Sequence, residues 1–383
     1  MIDKSYDVIV VGGGPAGGTA AYDLARKGIQ VLVLEKERLP RYKVCAGGLT
    51  LKTVELLDFD LSSVLEQEIV RGRCTFGGES AVTMDFGEVV GWTVMRDKLD
   101  HLILERASVA GAQVLAGHGV TKVEFFADRV EVSSGNRHYS CSTLIGADGA
   151  NGIVARSAGL RIQRDLAAAL EAEIPASGET LENWNRCVQL DFGCVPRGYG
   201  WVFPKKDVLS VGVGTFWGKA AHLRSSLQSF LKMLGLASEP RGARARGHLL
   251  PLGGKKRVLH YGRALLTGDA AGLAEPLTGE GIYYAVKSAK IAAHTVQQAL
   301  IGDRPDLSSY TETVNAQIAH DLKYASRLAR LLYRFPRTCF HLFVRNPAVQ
   351  QAVANTIFGR STFQTLHGEL VRTSPRILLS ALR

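Results

Sequence analysis

Residues 6–18 read YDVIVVGGGPAGG, and this stretch decides the fold. A short continuous apolar run, typical of a buried parallel strand, leads into a glycine-rich turn, and a helical pattern then continues to Gly28. The next apolar run, residues 30–35 (QVLVLE), is a second buried strand that ends in Glu35. The order strand, helix, strand predicts the start of an α/β domain with a parallel sheet.

The glycine turn carries the pattern GxGxxG at Gly12, Gly14 and Gly17. Glycines at this spacing permit a tight turn and let the backbone approach a pyrophosphate at the N-terminus of the helix. Glu35 would accept hydrogen bonds from ribose hydroxyls. The pattern therefore predicts one tightly bound dinucleotide. The candidate residues in this region are Gly12, Gly14, Pro15, Ala16, Gly17, Glu35 and Lys36.

The composition is that of a globular enzyme with unevenly placed charge. The chain has 383 residues, of which 46% are hydrophobic and 21% are charged, so we expect about two lobes and no disorder. The formal net charge is +10, and residues 321–383 carry ten Lys or Arg against two acids. Such a basic region can meet nucleic acid, anionic lipid or a phosphorylated substrate, or it can be a solvated helical face. We expect no nucleic-acid partner.

The six cysteines are scattered, with no CxxC pair and no Cys/His cluster of zinc spacing. We therefore expect free thiols, a reducing cytoplasm and no metal. Neither a signal peptide nor an apolar run of about 18 residues is present, so we expect no transmembrane segment. The expected location is cytoplasmic, with peripheral membrane contact through the basic C-terminal region as a further option.

Further glycine motifs follow a strand and open a helix. Gly268 and Asp269 close the apolar strand of RALLTGDAAG, while Gly279 and Gly281 precede a long helix near Ile282. The segment GDAAGLAEPLTGEGIYYA resembles the flavin-contact segment of FAD-dependent hydroxylase-like enzymes. Asp269 would then bond the ribityl hydroxyls, and the helix N-terminus would stabilise negative charge on reduced flavin. For Asp269 alone, a helix cap is the alternative.

The same resemblance implies further contacts with FAD. Arg96, which follows the strand VVGWTVM, would reach an FAD phosphate or the ribityl chain. Asp148 and Gly149 lie in GADGAN, residues 146–151, which resembles the DG motif that shapes the FAD site; Asp148 would also cap the next segment. The remaining cofactor-binding candidates are Arg41, Cys45, Ala46, Gly47 and Val120.

The most specific motif is PRGYGWVFPKKDVLSVGVG, residues 196–214. Tyr199, Trp201 and Phe203 alternate along one strand and share a sheet face, which by itself indicates a packed core. The pattern resembles the geranylgeranyl reductase signature YxWxFP followed by GxG. The loop KVCAGG, residues 43–48, resembles that family's KxCGxG element, with Ala46 in place of glycine. The resemblance covers about residues 5–300.

Beside a flavin, the aromatic stripe would form the wall of an apolar substrate tunnel. The substrate-binding candidates are Trp92, Tyr199, Trp201, Phe203 and Phe216, with Trp217 as an extension. The resemblance thus predicts an α/β fold in which a Rossmann-like FAD-binding domain is interleaved with an antiparallel-sheet substrate domain and followed by a helical, basic C-terminal segment. The predicted ranges are 1–69, 95–160 and 261–300 for the FAD-binding domain, 70–94 and 161–260 for the substrate domain, and 301–383 for the last segment.

The family resemblance also implies an activity. It is the reduction of isolated C=C bonds in a geranylgeranyl chain of a lipid, diphosphate, quinone or chlorophyll-type substrate, with NAD(P)H or reduced ferredoxin as the electron donor. Such an alkene must be protonated as hydride arrives, so water must be excluded and an acid must lie nearby. The catalytic candidates are Cys45, Tyr199 and Trp201, and bound water or the flavin itself stays open as the acid. Cys45 either packs in its loop or faces the flavin.

Other interpretations remain. GYGWVFP is close to the halogenase pattern GWxWxIP, from which Tyr199 and Phe203 depart, so a flavin-dependent monooxygenase or halogenase acting on an aromatic substrate is the alternative. A flavoprotein with only a binding role is a third. In the C-terminal segment, four arginines at helical spacing are predicted to share one helix face that contacts an anionic membrane or a diphosphate head. They are Arg327, Arg330, Arg334 and Arg337.

Overall fold

The computed structural model describes residues 2–160, 165–218, 220–236, 244–301 and 306–381. Its strands form an eight-stranded, a seven-stranded and a three-stranded sheet, and helices dominate the C-terminal region. The predicted fold class is confirmed.

The first sheet is the parallel sheet that the opening stretch predicts. Its strands are β1 (Lys4–Val11), β2 (Val31–Glu35), β8 (Gln113–Ala116), β9 (Lys122–Phe125), β10 (Val130–Ser134), β11 (Arg137–Gly146), β17 (His260–Tyr261) and β18 (Ala264–Leu266). The order is β17-β18-β11-β1-β2-β8, and the antiparallel pair β9–β10 extends it beside β11. The pairs from β18 to β8 are parallel. In β1, Val8, Ile9 and Val10 are fully buried, as expected for a central parallel strand.

The second sheet is largely antiparallel. Its strands are β5 (Arg71–Phe76), β6 (Glu79–Asp85), β12 (Asp165–Pro175), β13 (Cys187–Asp191), β14 (Gly198–Pro204), β15 (Val208–Phe216) and β16 (Arg246–Leu252). The order is β16-β12-β15-β14-β13-β5-β6, and only the β13–β5 pair is parallel. On the face away from Trp201, Val202, Val211 and Val213 pack with Phe230 in a buried apolar cluster.

A small third sheet joins β3 (Gly48–Thr50), β7 (Gly91–Val94) and β4 (Leu65–Ile69), in that order. The sequence grouped residues 70–94 with the substrate domain, but β7 pairs with β3 and β4 and not with the seven-stranded sheet. Close approach of the β3 backbone needs a glycine at position 91, because a Cβ there would lie 2.6 Å from the Leu49 carbonyl oxygen. The domain boundaries stay a prediction.

The helices that precede residue 302 pack on both large sheets. Their bounds are α1 (Pro15–Ala25), α2 (Leu51–Leu56), α3 (Arg96–Val109), α4 (Ile153–Ser157), α5 (Glu179–Glu182), α6 (Leu223–Met233) and α7 (Ile282–Ile301). Short 3₁₀ turns occupy Ser62–Val64, Ala220–His222 and Gly268–Ala271.

The C-terminal region is helical, as predicted. Its helices are α8 (Ser308–Val314), α9 (His320–Arg334), α10 (Pro336–Arg345), α11 (Pro347–Ile357) and α12 (Phe363–Ala381), and a π-helical turn, Asn315–Ala319, joins α8 to α9. The prediction that four arginines share one helix is wrong for Arg337. Phe335 has φ −131° and ψ 57°, outside the helical region, and Pro336 begins α10 because it lacks the amide hydrogen needed to continue α9.

Candidate functional site

A cavity of about 1820 Å³ lies between the two large sheets and the C-terminal helices. Small-molecule sites usually measure about 300–1,000 Å³. The cavity is therefore large enough for a cofactor and a substrate together.

At one end of the cavity, the turn between β1 and α1 presents backbone. Gly12 has a φ of 105°, and a Cβ added at Gly17 would lie 1.8 Å from the Gly12 carbonyl oxygen. A Cβ at Gly14 would have no atom nearer than 3.7 Å, so the turn is open there. Glu35, buried at the end of β2, accepts a hydrogen bond of 2.6 Å from the Gly13 N–H. The open turn and the carboxylate fit the pyrophosphate and a ribose of FAD.

Two arginines of the site share one buried carboxylate. Arg96 donates two hydrogen bonds to Asp100, of 2.9 and 3.0 Å, and Arg41 Nη1 lies 3.1 Å from Asp100 Oδ2. Burial of Arg96 opposes its charge, but Asp100 outweighs this effect and raises the pKa of the guanidinium. Asp100 thus fixes both cations beside the cavity. Asp100 was not among the residues predicted from the sequence, although its four-residue spacing from Arg96 on a helix was a signal.

Cys45 lies in the loop between β2 and β3. Its Sγ accepts a hydrogen bond of 3.4 Å from the Gly47 N–H. The side chain packs against the buried apolar cluster that contains Leu49 and Ile282, and it also lines the cavity. Packing and access to the cavity occur together, so both interpretations of Cys45 stay open.

A cluster of three charged or titratable groups stands beside the predicted flavin segment. Lys43 Nζ lies 2.7 Å from His248 Nε2, which is 3.7 Å from Asp269 Oδ2. Burial lowers the pKa of Lys43 to about 8. Burial also opposes the charge of Asp269, but His248 and Lys43 hold the pKa of its carboxyl below the usual value. An ionised Asp269 beside Gly281 fits an acceptor for the ribityl hydroxyls. His248 was missed, because only the alternation of β16 places it on this face.

Asp148 has the structural role that the sequence predicts. Its Oδ2 accepts a hydrogen bond of 3.0 Å from the Val154 N–H at the start of α4. Its buried Oδ1 has no hydrogen-bond partner among the described residues, and burial raises the pKa of the carboxyl. The next residue, Gly149, has no atom within 4 Å of an added Cβ. An unpartnered oxygen beside open backbone fits a polar ligand group.

The aromatic stripe on β14 faces the cavity. Tyr199, Trp201 and Phe203 all line it. The glycines of the motifs make room for these rings: a Cβ at Gly212 would lie 2.1 Å from the Trp201 indole, and one at Gly48 would lie 2.8 Å from the Phe203 ring. The GxG element therefore has a packing role toward the stripe.

Tyr199 belongs to a stack that reaches the C-terminal helices. Its ring lies 5.8 Å from Phe216, which lies 4.7 Å from Tyr333 on α9 with nearly parallel planes. The Tyr199 hydroxyl donates a hydrogen bond to the Thr278 carbonyl oxygen, and burial raises the pKa of the phenol. Its proton is thus held by a backbone acceptor, which argues against Tyr199 as the acid.

The C-terminal helices supply much of the apolar lining, and this role was not predicted from the sequence. These side chains include Leu328 and Leu332 of α9, Phe340 and Phe343 of α10, Val353, Ala354 and Ile357 of α11, and Leu366 and Leu370 of α12. No motif marks them, because any apolar helix face would show the same pattern.

All but three of the predicted site residues line the cavity. Two exceptions, Gly17 and Gly268, are packing positions, since an added Cβ would press on Gly12 or Ala16. The third, Trp217, packs against Phe216 and Tyr333 instead. Lys36 lies at the rim, with its side chain 77% exposed. The assigned roles stay predictions. Within the described ranges, no group of three or more His, Cys, Asp or Glu side chains is placed to hold a metal ion.

Comparisons with known proteins identify the family of the chain. Residues 5–176 match the FAD binding domain family. The chloroplastic geranylgeranyl diphosphate reductase of Nicotiana tabacum is 30% identical, over 86% of this chain and 75% of the relative. The menaquinone reductase of Mycobacterium tuberculosis is 32% identical, over 88% of this chain and 86% of the relative.

Solved structures share the fold. A geranylgeranyl bacteriochlorophyll reductase-like protein from Thermoplasma acidophilum superposes with a TM-score of 0.76 and 25% identity, covering 86% of this chain and 88% of the other. The halogenase PltM in complex with phloroglucinol and FAD superposes with a TM-score of 0.74, covering 96% and 84%. At 18% identity, the halogenase shows the fold alone.

Proposed function

The chain belongs to the FAD-dependent oxidoreductase family that includes geranylgeranyl diphosphate reductase and menaquinone reductase, and from this premise we propose that it saturates isolated C=C bonds of an isoprenoid chain. The isoprenoid is carried by a lipid, diphosphate, quinone or chlorophyll-type substrate. The electron donor is NAD(P)H or reduced ferredoxin.

One observation carries this proposal: the glycine turn and the aromatic stripe line the same cavity. The turn, Glu35 and Asp269 supply polar partners for FAD, whereas the stripe and the C-terminal helices supply apolar surface. A long apolar channel beside a flavin site suits a prenyl chain, because burial of each CH₂ group contributes about 0.8 kcal/mol to the free energy of binding. An aromatic substrate of the halogenase type would leave most of the helical lining without a contact.

Different residues have different roles in the proposed reaction. When bound, reduced FAD supplies the hydride. Asp269, Glu35 and the start of α7 would hold the cofactor, and the Arg41–Asp100–Arg96 group would place positive charge beside it. Trp201 and Phe203 hold the chain and exclude water, which protects the charge that develops on the alkene.

The test is an anaerobic turnover. The purified protein is loaded with FAD, reduced with dithionite and mixed separately with geranylgeranyl diphosphate, a geranylgeranylated phospholipid and menaquinone. We expect mass spectrometry to show products heavier by two hydrogens for each bond reduced. If all three substrates are unchanged, while air and halide yield a hydroxylated or halogenated aromatic product, the monooxygenase or halogenase alternative holds instead. NAD(P)H and ferredoxin are compared by the rate at which each bleaches the flavin.

We predict that Cys45→Ala slows alkene reduction about tenfold, the effect of about 1.4 kcal/mol on the barrier. The expected cause is the loss of a thiol that contacts the flavin and the reacting end of the substrate. FAD content and flavin reduction by dithionite should stay at the wild-type level. Cys194→Ala is the control, because Cys194 is half-buried outside the cavity lining. Equal rates for Cys45→Ala and wild type would show that Cys45 only packs in its loop.

The C-terminal helices also present a basic face, which we propose contacts anionic phospholipid. Exposed Arg327 and Arg334 lie beside Leu331 and Phe335, whose exposed fractions are 54% and 53%. Cations around exposed apolar side chains are typical of interfacial helices. Arg330 is left out of this face because it forms an ion pair with Asp165, with 3.6 Å between Nη2 and Oδ2. Among the described helices, none is both long and apolar enough to cross a bilayer.

Reversing Arg327 and Arg334 to glutamate should weaken binding to phosphatidylglycerol-containing vesicles at least roughly 30-fold. Loss of each basic residue near the surface costs about 1 kcal/mol, and the added carboxylates are repelled by the anionic lipid. Co-sedimentation measures the change. The double variant Arg137→Glu/Lys232→Glu changes the net charge equally at exposed positions of β11 and α6 and should bind like wild type. Equal losses in both double variants would indicate an effect of net charge alone.

A further inference from the structure

A buried carboxyl lies on the cavity face of the seven-stranded sheet. Glu171 on β12 is fully buried and lines the cavity wall. In the register of the sheet it stands opposite Gly212 on β15 and Arg246 on β16, and Gly212 in turn stands opposite Trp201. Paired residues of neighbouring strands share a face. Glu171 therefore belongs to the same wall as the aromatic stripe.

Tyr42 connects this carboxyl with the cavity. It lies in the loop that carries Lys43 and Cys45, is less buried than Glu171 and lines the cavity. Its hydroxyl donates a hydrogen bond of 3.2 Å to Glu171 Oε1, and the Arg246 guanidinium covers its ring at 4.2 Å. Glu171 Oε2 is buried and has no hydrogen-bond partner in the described part of the chain.

The surrounding charges favour a proton on Glu171. Two carboxyls, Glu171 and Glu173, face one buried ammonium, Lys205, whose Nζ lies 3.5 Å from Glu173 Oε1. The second cation nearby, Arg246, lies over the Tyr42 ring and forms no ion pair with Glu171 among the described residues. One carboxyl is therefore left without an ion pair, and an unpaired buried charge is costly. Glu173 keeps 24% of its side chain exposed, so the proton belongs on Glu171. Burial accordingly raises the pKa of Glu171 to about 7, with Glu173 adding to the rise and Lys205 opposing it.

We propose that Tyr42 and Glu171 are the proton-donating pair of the reduction, with Tyr42 as the group that meets the substrate and Glu171 as its proton store. The inference rests on the proposed function. As hydride from reduced FAD forms one C–H bond, the alkene π bond breaks and its other carbon takes the proton of the Tyr42 hydroxyl. In the same step the Tyr42 oxygen takes the proton of the Glu171 carboxyl through their hydrogen bond, so a single turnover already requires a protonated Glu171. Solvent recharges Glu171 afterwards. The substrate gains two electrons and two hydrogens, and FAD is oxidised.

This pair meets a requirement that the sequence candidates leave open. The Tyr199 hydroxyl is bound to a backbone carbonyl, which cannot return a proton. Burial raises the pKa of both phenols, but the Tyr42 hydroxyl is bound to a carboxyl that can return a proton. A store that titrates near neutral pH is also efficient, because it is partly protonated and still acidic.

The test measures a single anaerobic turnover in FAD-loaded protein, followed as reoxidation of reduced flavin by a geranylgeranyl substrate. Tyr42→Phe should slow this step about 100-fold, the usual contribution of a general acid. Flavin content and reduction by dithionite should not change. Glu171→Gln keeps the shape of the side chain and should also be slow. Thermal unfolding of each variant checks that the fold is intact.

The pH profile separates proton supply from packing. The wild-type rate should be high below pH ~7 and fall as pH rises through ~7, because only the protonated Glu171 recharges Tyr42. Glu171→Gln should lose this decline. Glu173→Gln removes a neighbouring negative charge, so it lowers the pKa of Glu171 and moves the decline to lower pH.

Wild-type rates and an unchanged pH profile in both Tyr42→Phe and Glu171→Gln would overturn the pair while leaving the proposed function intact. A slow Glu171→Gln that keeps the wild-type decline would assign Glu171 a packing role and also overturn it. Absence of any alkene reduction in the wild type would overturn the proposed function together with the pair.

Discussion

Replacing Gly17 by alanine is expected to yield a protein that binds FAD at least roughly 100-fold more weakly. The added methyl group would lie 1.8 Å from the Gly12 carbonyl oxygen, so the turn between β1 and α1 must move. Overpacking of this kind costs about 3 kcal/mol, which corresponds to roughly two decades in affinity if the binding conformation carries the strain. The turn is the part of the site where FAD pyrophosphate would meet backbone N–H groups.

The measurement is the ratio of flavin to protein after purification, followed by titration of the apoprotein with FAD. Gly368→Ala is the matched control, because it lies within α12 and an added Cβ would have no atom within 4 Å. That variant should keep its flavin and gain about 0.4–1 kcal/mol in stability. Full flavin occupancy in Gly17→Ala would show that the turn relaxes without strain and that its glycine spacing is not needed for the cofactor.

The cofactor end of the cavity could be predicted from the sequence, because the residues that form it lie close together along the chain. The apolar strand, the glycine turn and the acid at the end of β2 lie within about thirty residues, and each has one physical explanation. The aromatic stripe could also be predicted, since period-two alternation places its three rings on one face of the sheet. Whether that face lines a core or a cavity could not be predicted, because aromatic rings are buried in both.

The proposed proton-donating pair and its neighbours could not be predicted, because contacts between distant segments bring them together. Tyr42, Glu171 and Arg246 come from a loop and two strands, and only the register of β12 with β16 brings the last two together. That Glu171 forms no ion pair among the described residues becomes visible only when its neighbours from other elements are placed around it. For the same reason His248 gave no signal before it was placed beside Lys43 and Asp269.

The C-terminal helices could be predicted from the sequence, but what their buried faces cover could not. Periodicity predicted them, and the ring stack of Phe216 on Tyr333 now explains why α9 packs against the seven-stranded sheet. Their basic residues suggested a surface role, yet their opposite faces line the cavity. An amphipathic helix specifies that it has a buried face but not what that face covers. The identity of the tunnel wall therefore required the tertiary structure.

Replacing Ala354 by phenylalanine is expected to shorten the chain that the cavity accepts. Ala354 is buried on α11 and lines the cavity one turn before Phe358, whose ring contacts Phe86 at 4.8 Å. A ring at this position would take the space of about one five-carbon isoprene unit. At about 0.8 kcal/mol per buried carbon, the loss is about 4 kcal/mol, or roughly 1,000-fold in kcat/KM for a geranylgeranyl substrate.

A geranyl substrate, which is two isoprene units shorter, should keep most of its activity, because it need not reach the blocked part of the tunnel. The ratio of kcat/KM for the two chain lengths is therefore the measurement, and it is independent of small losses in total active protein. Ala348→Phe adds the same ring to an exposed position of the same helix and should leave the ratio unchanged. Equal loss on both substrates would place the effect at the reacting end. Unchanged activity on both would mean that the prenyl chain does not run along α11, and the helical wall would then need a different ligand.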